Sequence, residues 1–187
     1  MRQITLPMLC LLSLLWPGQH AQAQLQNETL LQTLPPGYKI DYRLQQEQLL
    51  MTEMVPTAQS AQHWDEMITT QVFQGLKVTS PQAFRDIMVK QWDFACPGSG
   101  YDVVADGREN GYPYALWFLA CPNNPATGRP ENTWFKSIQG RDSFYVIQKA
   151  FKFSPSKAQL LPWLQYLRSV QLCDSRQPAS PCPKTGN

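Results

Sequence analysis

Histidine is nearly missing: the 187-residue chain has two. One of them, His20, lies in the leader described below, so His63 is the only imidazole left for general base work near neutral pH. A nucleophile needs a base within reach. Gly98-Ser99-Gly100 lacks the G-x-S-x-G spacing and follows Pro97. C-x-x-C is absent, which with one histidine argues against a zinc site. Neither G-x-x-x-x-G-K-[ST] nor G-x-G-x-x-G occurs, so nothing cradles a nucleotide phosphate. The acids between Asp102 and Glu109 lack the spacing of a calcium loop. The sequence thus nominates no catalytic residue, no metal ligand and no cofactor. Charge of one sign is also lacking: 16 basic and 14 acidic residues leave a net +2. A nucleic-acid binder ordinarily shows a basic stripe, so nucleic acid is not among the expected partners.

The longest apolar run is short and sits at the amino terminus. Arg2 precedes Leu6, Met8, Leu9, Leu11, Leu12, Leu14, Leu15 and Trp16. Pro17-Gly18 breaks the run, and Ala21-Gln22-Ala23 is the small-x-small pattern of a cleavage site. This is the layout of a secretory signal over residues 1–23. The run is about half the ~20 residues of a membrane-crossing helix, so no stable membrane insertion is expected after cleavage. Cys10 leaves with the leader. The remainder, from Gln24, has one net positive charge and suits a single domain.

Four cysteines remain: Cys96, Cys121, Cys173 and Cys182. In an oxidising compartment an even set pairs. Three connectivities are open. Cys96–Cys121 and Cys173–Cys182 are favoured, because each joins sequence neighbours at element ends.

Residues 24–37 are polar and end in Pro35-Pro36-Gly37, which reads as a linker or loosely docked arm. Asn27-Glu28-Thr29 matches a glycosylation sequon and is read as a chance match. Residues 38–187 form one domain. Tyr38, Ile40, Tyr42 and Leu44 alternate with polar residues, the period of a half-wet strand, and Leu49–Val55 completes a hairpin. Ser60 is expected to cap a short helix carrying Trp64 and Met67, followed by a strand over Ile68–Phe73. Ser80 and Pro81 open a helix whose apolar stripe is Phe84, Ile87, Met88, Trp92 and Ala95. Strands follow over Tyr101–Ala105, Tyr112–Cys121, Thr133–Ile138 and Ser143–Phe153. Tyr114–Ala120 is apolar throughout and reads as a central strand buried on both faces. Gly140 supplies backbone freedom to a tight turn. A last helix lies within 156–172, with Pro162 either starting it or following a short turn. The class is α+β: an antiparallel sheet of about six to seven strands with two main helices packed on it.

Glu53-Met54-Val55-Pro56, Trp64 with Met67 through Phe73, Ile138-Gln139-Gly140 and Asp142 through Gln148, together with the four cysteines, resemble a group of bacterial exported proteins. The resemblance covers most of residues 38–182. It implies a periplasmic or secreted location and no activity or ligand. The order of elements is also similar to that of the Mog1/PsbP-like proteins, a likeness of topology alone.

Arg129, Glu131, Trp134 and Lys136 follow the polar loop 122–130. They are the candidate recognition surface, because amphipathic aromatics and arginine are favoured in contacts. The function read from these features is an exported, non-enzymatic binding or accessory protein, whose partner is another envelope or secreted protein. The alternatives are a small secreted hydrolase drawing on carboxylates among Glu53, Asp65, Glu66, Asp102, Asp106, Glu109 and Glu131, and a structural envelope component. His63 is read as a surface residue at a helix edge.

Overall fold

The computed structural model describes residues 27–76 and 80–183. The leader, its cleavage site and Cys10 lie outside the described residues. Alternating side chains and short turns build β1 (Glu28–Leu31), β2 (Tyr38–Gln46), β3 (Leu49–Pro56) and β4 (Glu66–Gln74). Then come α1 (Pro81–Ala95), β5 (Gly100–Glu109), β6 (Tyr112–Asn124), β7 (Arg129–Gln139), β8 (Ser143–Phe151), α2 (Lys157–Ser169) and β9 (Gln171–Asp174). Seven strands form one antiparallel sheet in the order β2-β3-β4-β8-β7-β6-β5, and β1 pairs with β9 in a separate two-stranded sheet. The fold is α+β, as the element pattern implied.

Each helix starts where its cap dictates. The Ser80 hydroxyl accepts from the Ala83 N–H at 3.1 Å, with Pro81 in the first turn of α1. Ser156 and Gln159 form a reciprocal capping box at the start of α2. Pro162 neither starts nor stops α2 but lies inside it. It is exposed, so water can satisfy the carbonyl left without a donor.

The strand period sorts the core into two layers. Ala115, Trp117, Leu119, Phe135, Phe144 and Val146 face α1, which lays Phe84, Met88 and Trp92 on them. Leu116, Trp134, Ile138, Tyr145, Ile147 and Phe151 face the other way, under α2 and the β1–β9 pair. β6 is buried on both faces as expected, yet it is not central. It lies one strand from the edge, and β8 holds the middle position. Covering layers, not place in the sheet, bury it.

Three other expectations are corrected. Residues 28–31 are no linker: they form β1, and Leu30 packs on the core. No helix forms over 60–67; the Gln59 side chain accepts from the Asp65 and Glu66 N–H groups and fixes a turn that leads into β4. The chain leaves α2 at Ser169 and makes β9 where more helix was expected.

Both disulfides are closed, Cys96–Cys121 and Cys173–Cys182. The first fastens the end of α1 to β6. The second folds the tail back onto β9.

Candidate binding site

The four residues singled out after the polar loop do not make one surface. Arg129 is exposed and pairs with Asp65 at 2.7 Å. Glu131 is half-buried and accepts from Asn124. Trp134 is buried, stacked on Phe118 with ring centres 4.3 Å apart. Lys136 has no accessible surface. The recognition reading fails for Trp134 and Lys136 because β7 is an interior strand. Its even-numbered residues point under α2, so the polar loop beside them in sequence is no guide to exposure.

Lys136 instead serves α2. Its ammonium lies 2.5 Å from Glu109 and donates to the Val170 carbonyl at 2.7 Å, just past the helix end. A cation there complements the carbonyl end of the helix. Lys149 in β8, also inaccessible, meets the middle of α2. It contacts Glu66 at 2.8 Å and the Tyr38 hydroxyl at 2.7 Å, with the Trp163 ring of α2 only 3.8 Å away. Burial pulls the Lys149 ammonium down to about 8, against the opposing pull of Glu66. These two lysines are structural tethers with no open path to a ligand.

The opposite face of the sheet is different. α1 runs over β6 and β7, touches β4 only at Phe73 near its end, and leaves the rest of β4 and β2 and β3 without a helix on that side. Cross-strand register places Tyr42, Glu53 and Thr69 next to one another on this uncovered half, with Leu44, Met51 and Gln71 in the adjoining row. All six are accessible at least in part, and Tyr42 is 40% exposed. A bulge between Ile40 and Tyr42 turns Tyr42 and Leu44 onto this face. The wall of the open half is α1. Arg85 leaves the helix on the far side, toward Asp106 of β5, at 2.7 Å. Phe94 lies about two and a half turns on, and therefore on the flank opposite Arg85. Ile87, seven residues before Phe94, shares that flank. Ile87 is 50% exposed and Phe94 91%.

Burial raises the Glu53 carboxyl above its usual range, and the nearby Asp41 charge adds to the effect. Asp41 is held down instead, by the Ala61 N–H and by Lys39. His63 sits exposed in a turn, not at a helix edge, with its N–H on the Ser60 hydroxyl. Most of the carboxylates weighed from sequence are engaged separately: Asp65 with Arg129, Glu66 with Lys149, Asp106 with Arg85, Glu109 with Lys136 and Glu131 with Asn124. Among the described residues, no three histidine, cysteine or acidic side chains gather as a metal site. No helix of the described residues is long and apolar enough to cross a membrane.

The open half was missed in sequence because Tyr42 and Leu44 read as the inner face of an ordinary hairpin. The bulge that reassigns them carries no sequence signature. Ile87 was counted as core on its helical spacing, although α1 is too narrow a cover to bury its whole apolar stripe.

No protein-family model matches the chain, and no curated protein matches it. Among solved structures it is similar to the Ran-binding protein Mog1p of Saccharomyces cerevisiae. The two are 11% identical, with a TM-score of 0.49, over 81% of this chain and 98% of that one.

Proposed function

We propose that the chain is an exported, non-enzymatic binding or accessory protein of the envelope or the secreted space. In this reading it docks another protein on the open half of its sheet, beside α1. The observation that carries the reading is exposed apolar surface: Tyr42 beside Leu44 and Met51 on the open half, and Ile87 and Phe94 on the flank of α1. Exposed apolar surface rimmed by polar groups is a mark of protein contact. The two disulfides suit an oxidising compartment, and the signal-like leader and the resemblance to bacterial exported proteins support the same location. The test is photo-crosslinking in the native host from a reactive residue placed at Leu44, Ile87 or Phe94, with Leu161 on the outside of α2 as control. A discrete adduct at the first three positions and none at Leu161 is the expected result. Equal labelling at all four positions, or none, overturns the docking face.

Carboxylate-dependent hydrolysis has one observation in its favour: Glu53 is raised while neighbouring Asp41 is lowered, the divergence that separates acid from base in glycosidases. Asp41, however, is already occupied by Ala61 and Lys39. Turnover of aryl glycosides by the native protein, abolished in Glu53→Gln, would move the assignment there.

A further inference from the structure

Most of the partly buried acids on this sheet have a cation beside them; Glu131 has only the Asn124 amide, and Glu53 has neither. Glu66 has Lys149 at 2.8 Å, Glu109 has Lys136 at 2.5 Å and Asp106 has Arg85 at 2.7 Å. These carboxylates are 22–34% exposed, and each carries its own cation. Glu53 is half-buried on the open half and has neither an ion pair nor a hydrogen bond among the described residues. Directly across the strand pair is Tyr42, its ring accessible. Opposed side chains on neighbouring strands stand about 5 Å apart, so a carboxylate and an aromatic face are presented side by side. Asp41 adds negative charge nearby, while Lys39 is spent on Asp41. The Leu44 and Met51 floor offers apolar contact on the same face.

We propose that the partner seats an arginine here, its guanidinium lying on Tyr42 and paired with the Glu53 carboxylate, with apolar side chains on either side of that arginine meeting Leu44 and Met51. The inference rests on the docking face proposed above and names what docks there. A planar, weakly hydrated cation is suited to both halves of the subsite: it forks onto a carboxylate and stacks on a ring. The cation would supply the charge that Glu53 lacks, whereas an acidic or purely apolar segment would leave that carboxylate buried further and unpaired.

The experiment is an NMR titration of the isotopically labelled protein with acetyl-Leu-Arg-Leu-amide, with the Leu-Gln-Leu and Leu-Glu-Leu peptides as controls. Shifts should gather at Tyr42, Glu53 and Thr69. The arginine peptide should bind about fivefold more tightly than the glutamine one. Glu53→Gln should remove that preference, with thermal melting confirming that the variant is folded. Equal affinity for the three peptides, shifts centred elsewhere, or a preference that survives Glu53→Gln in the folded variant overturns the proposal. If crosslinks from Leu44, Ile87 and Phe94 persist while the peptide series fails, the docking face stands and the arginine subsite falls. Loss of both overturns both.

Discussion

The two faces of the sheet are covered in opposite ways. The α2 face is covered by α2 and the β1–β9 pair except at the β2 edge, where Ile40, Arg43 and Gln45 stay exposed, and polar groups pin the cover down. Lys136 and Lys149 rise from the sheet to meet α2. Glu28 in β1 reaches the β7–β8 turn, where its carboxylate accepts from the N–H groups of Arg141, Asp142 and Ser143 and from the Tyr145 hydroxyl. Gly140 has no positive φ; what it provides is room, because a Cβ there would collide with the Glu28 carboxylate. The α1 face is half closed, and aromatic stacking does the holding. Trp117 lies flat on Phe135, centres 5.1 Å apart, and Trp92 meets Phe135 edge-on. Here the polar accounting is loose: the Trp92 and Trp117 indole N–H groups find no acceptor among the described residues. Satisfied polar contacts specify one arrangement of a cover. Edge-on rings from Phe84 and Trp92, with the Cys96–Cys121 bond, hold the helix while leaving its flank free.

Removing the flattest ring tests the aromatic side. Trp117→Ala should lower unfolding free energy by about 3–5 kcal/mol, with Leu167→Ala under α2 costing about 2–5 kcal/mol. Urea denaturation measures both. The Trp117 loss should be the larger of the two, and a smaller one would show that the α1 layer is the weaker half of the core.

The disulfides divide along the same line. Loop-entropy arithmetic gives about 3.5 kcal/mol for Cys96–Cys121 and about 2.6 kcal/mol for Cys173–Cys182. Paired Cys→Ser variants should fall in that order by thermal melting.

Glu28→Gln should cost about 1–3 kcal/mol, because an amide cannot accept from all the donors around it. Hydrogen exchange should report the loosening in β1 and β9 and leave β5 and β6 protected. Acid should act on the same junction. Arg176 holds the Asp174 carboxyl down to about 2, below its ordinary value near 4. Its contribution is complete above about pH 4 and is lost as pH falls through about 2. Asp174→Asn should remove that component of the acid transition.

Lys149→Met made together with Glu66→Leu is expected to change stability by less than about 1.5 kcal/mol at pH 7, since a buried pair roughly breaks even against apolar isosteres. Its pH dependence carries the information. The folded lysine titrates at about 8 and the unfolded one at 10.5, so the folded charge is a burden below pH 8 that is relieved as pH rises. The native protein should gain on the double variant between pH 8 and 10.5, as read from paired denaturation curves.

The smallest effect belongs to the open half. Tyr42→Ala should change stability by about 0.5 kcal/mol or less while abolishing the preference for the arginine peptide. A larger loss of stability would make Tyr42 part of the core.

Period and caps were enough to read an antiparallel sheet and α1 from sequence, and nearness in sequence favoured both cysteine pairs. Ser80-Pro81 marked α1, alternation marked β2, and the short link to Leu49–Val55 marked β3. The covers were harder, because they depend on contacts between distant residues. Nothing near Glu28 announces a turn more than a hundred positions away. Lys136 read as part of a recognition surface and Lys149 drew no notice, since a lysine in a strand ordinarily marks solvent. Their burial depends on Glu109 and Glu66 arriving from other strands. Pro162 argued for a helix boundary that the Ser156 capping box overrode.

The pairing of β1 with β9 also sets an order of events. Thr29 stands opposite Cys173, so β1 has no strand partner until nearly the whole chain is present. Closing so long a loop is entropically slow, and contacts of this range delay folding. During synthesis the amino-terminal strand therefore emerges early and docks late. Until it does, the Glu28 pocket in the β7–β8 turn and the Leu30 position in the core stand empty, and the interval before closure is when this protein is most exposed to proteases and to pairing with another chain.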